Sequence, residues 1–144
     1  MKVTTSRRFR RAHLNDYGVE DFESFADYFF YLHLNSRTQL IHTLGCFLPL
    51  FFLPWSLKQL LHKRPTPLLM VSAVFYGAGF ASHWTEDGLV SETVKNFGPA
   101  YKEVLLLNWR FMTGRLKPYE DAFARKYPHV MWVYQKDAPR DPAK

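Results

Sequence analysis

The chain is nearly without cysteine: of its 144 residues only Cys46 carries a thiol. An intramolecular disulfide is therefore impossible, as is a zinc site built on several cysteines. Cys46 sits in an apolar run with no basic neighbour, which leaves its thiol unactivated. Other absences narrow the chemistry further. The sequence has no glycine-rich phosphate loop, no G-x-S-x-G and no H-E-x-x-H. Phosphate-loop nucleotide hydrolysis, hydrolase-type serine catalysis and zincin proteolysis are set aside with them. The adjacent-histidine boxes of membrane desaturases and hydroxylases are missing too, and no internal repeat appears. The length excludes a two-domain Rossmann enzyme and suits one domain.

What is present is strongly segregated. The formal net charge is +6, and hydrophobic residues make up 47% of the chain, enough for a packed structure. Residues 1–11 carry Lys2, Arg7, Arg8, Arg10 and Arg11 and no acid. Residues 114–144 are also net basic, whereas the middle is slightly acidic. Two stretches hold no charged side chain: Thr38–Leu57, 20 residues, and Pro65–Thr85, 21 residues. About 20 mostly apolar residues suffice to cross a bilayer as a helix. Two readings fit these runs. They are buried helices of a soluble bundle, or they lie in a membrane. The second is preferred, because so small a chain has little surface to cover Phe47, Phe51, Phe52, Trp55, Phe75, Phe80 and Trp84 together. The basic start is not followed by the apolar run of a secretory signal and suits anionic lipid headgroups. No aromatic-interleaved basic face points to nucleic acid.

The periodicity predicts an all-α, membrane-embedded bundle of about four helices with polar, basic ends. Phe22, Phe25, Ala26, Phe29, Phe30 and His33 form one stripe on a helix from Asp21 to about Leu34. Ser36 to Gln39 reads as a capping box opening a second helix from Arg37 to about Leu53, kinked by Pro49 and ended by Pro54. A third helix runs from the Pro65–Pro67 turn to about His83. A fourth runs from Pro99 to Gly114, and a short one follows Pro118 to about Lys126. Residues after Trp132 read as frayed. The expected organisation is a basic N-terminal extension (1–20), a helical membrane domain (21–117) and a polar C-terminal tail (118–144).

Six histidines divide into two groups. His13, His62 and His129 stand in polar or terminal surroundings and read as solvent-exposed. His33, His42 and His83 stand on apolar helical faces, each on a different helix. Three buried imidazoles in one apolar region ask for a common partner, and a metal ion is the simplest. The plainer alternative is that each bonds a backbone carbonyl. Gly45, three residues after His42, would let a backbone or a ligand approach the ring. Glu86 and Asp87 follow His83 closely and read as a fourth ligand, as a partner fixing a ring tautomer, or as solvated acids at a helix end.

These residues carry a resemblance. Tyr31-Leu-His33-Leu-Asn35 followed by Leu40-Ile-His42-Thr-Leu-Gly45 resembles the start of the 2-hydroxy fatty acid dioxygenase family, with its fungal endoplasmic-reticulum 2-hydroxypalmitate dioxygenase and bacterial relatives. Tyr76 to His83 and Met112-Thr-Gly-Arg-Leu116 are similar to later motifs of that family, so the likeness spans about residues 24–116. Two positions depart from it: Ser82 stands where relatives usually have glycine, and Asp87 where they have glutamate without the following Pro-Ala pair.

The resemblance implies an integral membrane protein of a bacterial inner membrane or the endoplasmic reticulum. It implies an Fe(II)-dependent dioxygenase of fatty acid α-oxidation, which uses O2 to shorten a 2-hydroxy fatty acid by one carbon. Iron would be held by His33, His42 and His83, leaving coordination positions for substrate and O2. Arg37 would pair with the substrate carboxylate, Asn35 would orient a ligand or water, and Asp87 would support the site from behind the ligands. Partners would be a fatty acyl or 2-hydroxy fatty acid substrate, O2 and membrane lipid, with no nucleic acid. The alternative is a non-catalytic scaffold or lipid-binding protein of the same fold.

Overall fold

The computed structural model describes residues 10–86, 97–135 and 137–143. Among them the chain is all-helical, without strands. Helix α1 (Phe25–Leu32) is shorter than the apolar stripe suggests. Ser24 is in extended backbone and its Oγ accepts a hydrogen bond from the Asp27 N–H at 3.2 Å, so the helix starts there. The preceding residues form separate 3-10 turns, Arg11–Asp16 and Val19–Asp21.

Helix α2 (Ser36–Leu61) differs from expectation at both ends. Its cap is Asn35, whose Oδ1 accepts from the Arg37 N–H at 3.0 Å, and Ser36 is already helical. Pro49 and Pro54 both lie inside it. Each proline removes one N–H donor. The loss is local, and α3 (Thr66–Glu86) packs along α2 more extensively than any other pair of elements. That packing carries the helix past Pro54 to a turn at Lys63. There φ is +58°, the Lys63 N–H bonds the Leu60 carbonyl, and the Arg64 N–H bonds the Gln59 carbonyl. Gly45 is what lets the pair close. A Cβ there would overlap the Cβ of Ala78 on α3, so the glycine admits a neighbouring backbone.

Helix α4 (Phe97–Met112) starts two residues before Pro99, which falls in the first turn where a missing N–H is harmless. It closes at Gly114, whose φ of +69° favours glycine. Helix α5 (Leu116–Lys126) likewise takes Pro118 into its first turn.

The core is not where the long apolar runs are. It gathers around α1: Leu14 and Tyr17 from the N-terminal segment, Phe22, Phe30 and Tyr31, then Phe123, Tyr127, Val130 and Trp132 from the C-terminal segment. Val133 and Tyr134, directly after Trp132, are not frayed: Met131–Val133 form a 3-10 turn and both side chains are buried. Aromatic side chains among the charges of both ends bury enough apolar surface to order them. Lys126 adds a clamp, reaching Glu23 at 2.8 Å and Asp27 at 2.9 Å. Burial alone would push the Asp27 carboxyl up, but its hydrogen bonds from Lys126, Tyr127 and Ser24 hold it below the ordinary range.

The apolar helices face outward instead. Phe51 is 79% exposed, Leu61 85% and Trp84 75%, and Leu40, Leu44, Leu69, Met70 and Val74 follow the same pattern. Of the two uncharged stretches, only the α2 helix meets both the length and the hydropathy needed to cross a membrane.

Candidate metal centre

Three segments converge where α1 hands over to α2. His33 is the C-cap of α1; its N–H closes the helix on the Phe30 carbonyl, and the Leu34 N–H bonds the Tyr31 carbonyl. Its ring stacks on Phe29 with centroids 3.9 Å apart. Its Nδ1–H donates to the Phe29 carbonyl at 2.7 Å. That bond selects the tautomer whose Nε2 lone pair is free. His42 comes from the second turn of α2. His83 comes from the last turns of α3, because the α2–α3 hairpin returns the chain to the same level. Gly79, one turn before His83, faces His42: a Cβ there would lie in ordinary contact with the His42 Cε1, 3.5 Å away.

The three rings lie 4.7 Å (His33–His42), 5.0 Å (His33–His83) and 5.2 Å (His42–His83) apart, centroid to centroid. One nitrogen from each can be chosen so that all three lie within 4.8 Å of one another. Exposure is 1% for His33, 5% for His42 and 2% for His83. The Nε2 atoms of His33 and His42 are buried with no hydrogen-bond partner among the described residues. An unsatisfied buried polar atom costs about 1–3 kcal/mol. Two such atoms beside a third imidazole fit a donor group that could hold a metal ion. The donor set is nitrogen only, which suits Fe(II), Zn(II) and similar cations and excludes magnesium or calcium. The carbonyl-bonded alternative thus describes one nitrogen of His33 and leaves the other unexplained.

Burial holds the His33 imidazole well below the ordinary histidine range; the neighbouring His42 and His83 push it the same way, against the Phe29 carbonyl. The neutral form is therefore built in. In the unfolded chain this histidine takes up a proton below about pH 6.5. In the folded chain it refuses the proton until the pH is far lower. Its stabilising contribution is complete above pH 6.5 and is lost as the pH falls toward the folded value. We expect the metal-free protein to keep a constant thermal midpoint from pH 8 to 7. Below about pH 6.5 the midpoint should drop, by up to about 1.4 kcal/mol of stability per pH unit per proton. Metal retention, which needs neutral imidazoles, should weaken in the same direction. A thermal-denaturation series checks this, and a His33→Gln variant should flatten the slope.

Of the other expected site residues, Asn35 and Arg37 are described. Asn35 is buried and serves as the α2 cap. Arg37 has an exposed side chain. Asp87 lies outside the described residues. Ser82 is buried and donates to the Gly79 carbonyl at 2.8 Å, which satisfies its hydroxyl. His62 and His129 are exposed as expected. His13 is not: it is half-buried, 2.8 Å from Asp16, with its ring 4.9 Å from that of Trp132. The indole provides an apolar face that the local sequence around His13 does not reveal.

Two features escaped the sequence reading. Gln39 and Glu120 are both buried, and the Gln39 Nε2 donates to Glu120 Oε1 at 3.5 Å, tying α5 to the first turns of α2. Burial raises the Glu120 carboxyl above its ordinary range despite that bond. Thr38, one turn before His42, is fully buried. The four-residue spacing to His42 was the available signal for Thr38; nothing local signals the Glu120 pairing, which joins positions 81 apart. The chain matches no protein-family model, no curated protein and no solved structure.

Proposed function

We propose that this chain is a membrane-embedded, Fe(II)-dependent dioxygenase that shortens a 2-hydroxy fatty acid by one carbon with O2. The observation that carries the reading is the trio His33, His42 and His83, buried together with two Nε2 lone pairs unpaired. The sequence resemblance supplies the reaction class. A bound ferrous ion would supply Lewis-acid orientation of the substrate's carboxylate and hydroxyl and the electrons that activate O2.

The chain's own residues do the rest. The Phe29 carbonyl fixes the His33 tautomer and ring plane. The close α2–α3 contact at Gly45 and Ala78 sets His42 and His83 at one level. Near-complete burial excludes water from the imidazoles. An apolar cleft of about 240 Å³ between α2 and α3, lined by Pro49, Phe52, Trp55, Pro67 and Met70 among others, suits an acyl chain. The outward-facing apolar side chains of α2 support a bilayer setting. At 1.5 Å per residue its 26 residues reach about 39 Å, more than the hydrocarbon thickness of about 30 Å.

The test is anaerobic purification in detergent, with metal measured per chain before and after Fe(II) is added. About one iron per chain is expected, with 2-hydroxypalmitate then losing one carbon under O2. No iron under any condition overturns the reading, and release from membranes by alkaline carbonate alone overturns the embedding.

A further inference from the structure

Thr38 is a hydroxyl in the wrong place for a structural residue. Its exposure is 0%, and its Oγ1 has no hydrogen-bond partner among the described residues. Threonine on a helix normally disposes of its hydroxyl on the carbonyl four residues earlier. Here that residue is Leu34, which precedes both the Asn35 cap and the first residue of α2. The other local outlet, the cap's own N–H as in a capping box, is not used either. A side chain serving only to fill space would be better as valine, which has the same shape and leaves nothing unpaired.

The position of the hydroxyl supplies its purpose. Thr38 and His42 are four residues apart on α2, so they lie one above the other on one face. Helical side chains lean back toward the N-terminus, so the His42 imidazole lies over the turn that carries Thr38. His33 is only five residues upstream of Thr38, and its ring is 4.7 Å from that of His42. Three of the buried atoms without a partner thus come from this stretch of chain: Nε2 of His33, Nε2 of His42 and Oγ1 of Thr38. Two are metal donors. The third is a neutral hydroxyl, a poor ligand for a divalent ion but a good hydrogen-bond donor to whatever the ion holds.

We propose that Thr38 is a ligand-positioning residue of the histidine centre: its hydroxyl donates a hydrogen bond to a small anionic ligand, such as a carboxylate oxygen, in the coordination face that His33, His42 and His83 leave open. This rests on the metal-centre reading above. It places the specificity-bearing polar contact on the buried Thr38 of the first turn of α2 rather than on the exposed Arg37 beside it.

Co(II) and azide test it without turnover. Co(II) in a nitrogen-donor site gives visible absorption bands, and azide shifts them when it enters an open position. The wild-type chain, Thr38→Val and Thr38→Ser are each loaded with Co(II) in detergent and titrated with azide. Co(II) affinity should stay within about twofold across the three, since no ligand is changed. Azide should bind Thr38→Val about 10- to 150-fold more weakly, the worth of one hydrogen bond to a charged acceptor. Thr38→Ser should restore binding to within about twofold. Equal azide affinity in wild type and Thr38→Val overturns the proposal while the metal centre stands. Failure of wild type to bind Co(II) through the histidines overturns both. Should the valine variant not fold, Thr38→Ala carries the same comparison.

Discussion

Replacing His42 with alanine should abolish the proposed stoichiometric iron binding and dioxygenase turnover while leaving the helical fold in place. The loss is expected to be large because His42 contributes one of three donors and nothing in the described structure substitutes for it. Residues that only support metal ligands change affinity by about 10- to 100-fold, so removing a ligand should exceed 100-fold. The fold should survive because His42 is not part of the hydrophobic core, which gathers around α1 and the two chain ends. Its Nε2 has no partner to lose. Truncation removes an unsatisfied polar atom along with the ring's packing, and the two effects partly offset. Iron content by elemental analysis, read beside circular dichroism and the thermal midpoint, checks this. A variant that keeps its iron, or that unfolds without ever having bound metal, would favour the non-catalytic scaffold.

The histidine trio was legible in the sequence for a physical reason. Each member sits in or at the end of an apolar helix, and local apolar runs are what a sequence displays. His33 follows a stripe of aromatics, His42 lies one turn before Gly45, and His83 one turn after Gly79. The close approach expected at Gly45 is the contact with Ala78. Helix ends were less legible. Pro54 carries a strong stop signal, yet α2 continues to Leu61 because packing against α3 outweighs one lost hydrogen bond. Of the core, only the α1 stripe with Phe22, Phe29 and Phe30 was legible; the rest was not. It is assembled from residues more than 100 positions apart, such as Tyr17 and Trp132, each set among charges that read as solvated tails. Composition likewise could not tell which way the apolar helices face; only the packing shows Phe51, Leu61 and Trp84 pointing outward.

That non-local core makes Trp132→Ala the most destabilising single change we expect. The indole is 2% exposed, and its Nε1–H donates to the Tyr17 hydroxyl at 2.6 Å. Its ring faces Arg10 at 5.0 Å and Arg140 at 5.4 Å, and its backbone carbonyl accepts from Arg10 Nη1 at 2.6 Å. The side chain thus joins the N-terminal segment to the C-terminal one over α1. Truncating a buried aromatic costs about 3–5 kcal/mol, which for a chain of this size lowers the thermal midpoint by about 10 °C or more. The neighbouring Tyr134 hydroxyl donates to the Tyr31 carbonyl at 2.6 Å, two residues before His33. Loosening the C-terminal segment should therefore reach the metal centre second-hand, weakening iron binding modestly and in step with stability. His42→Ala should do the reverse, losing iron with the midpoint little changed. Measuring both quantities in both variants separates what holds the chain together from what holds the metal. If Trp132→Ala melts within about 1 °C of the wild-type chain, the C-terminal segment does not contribute the core described here.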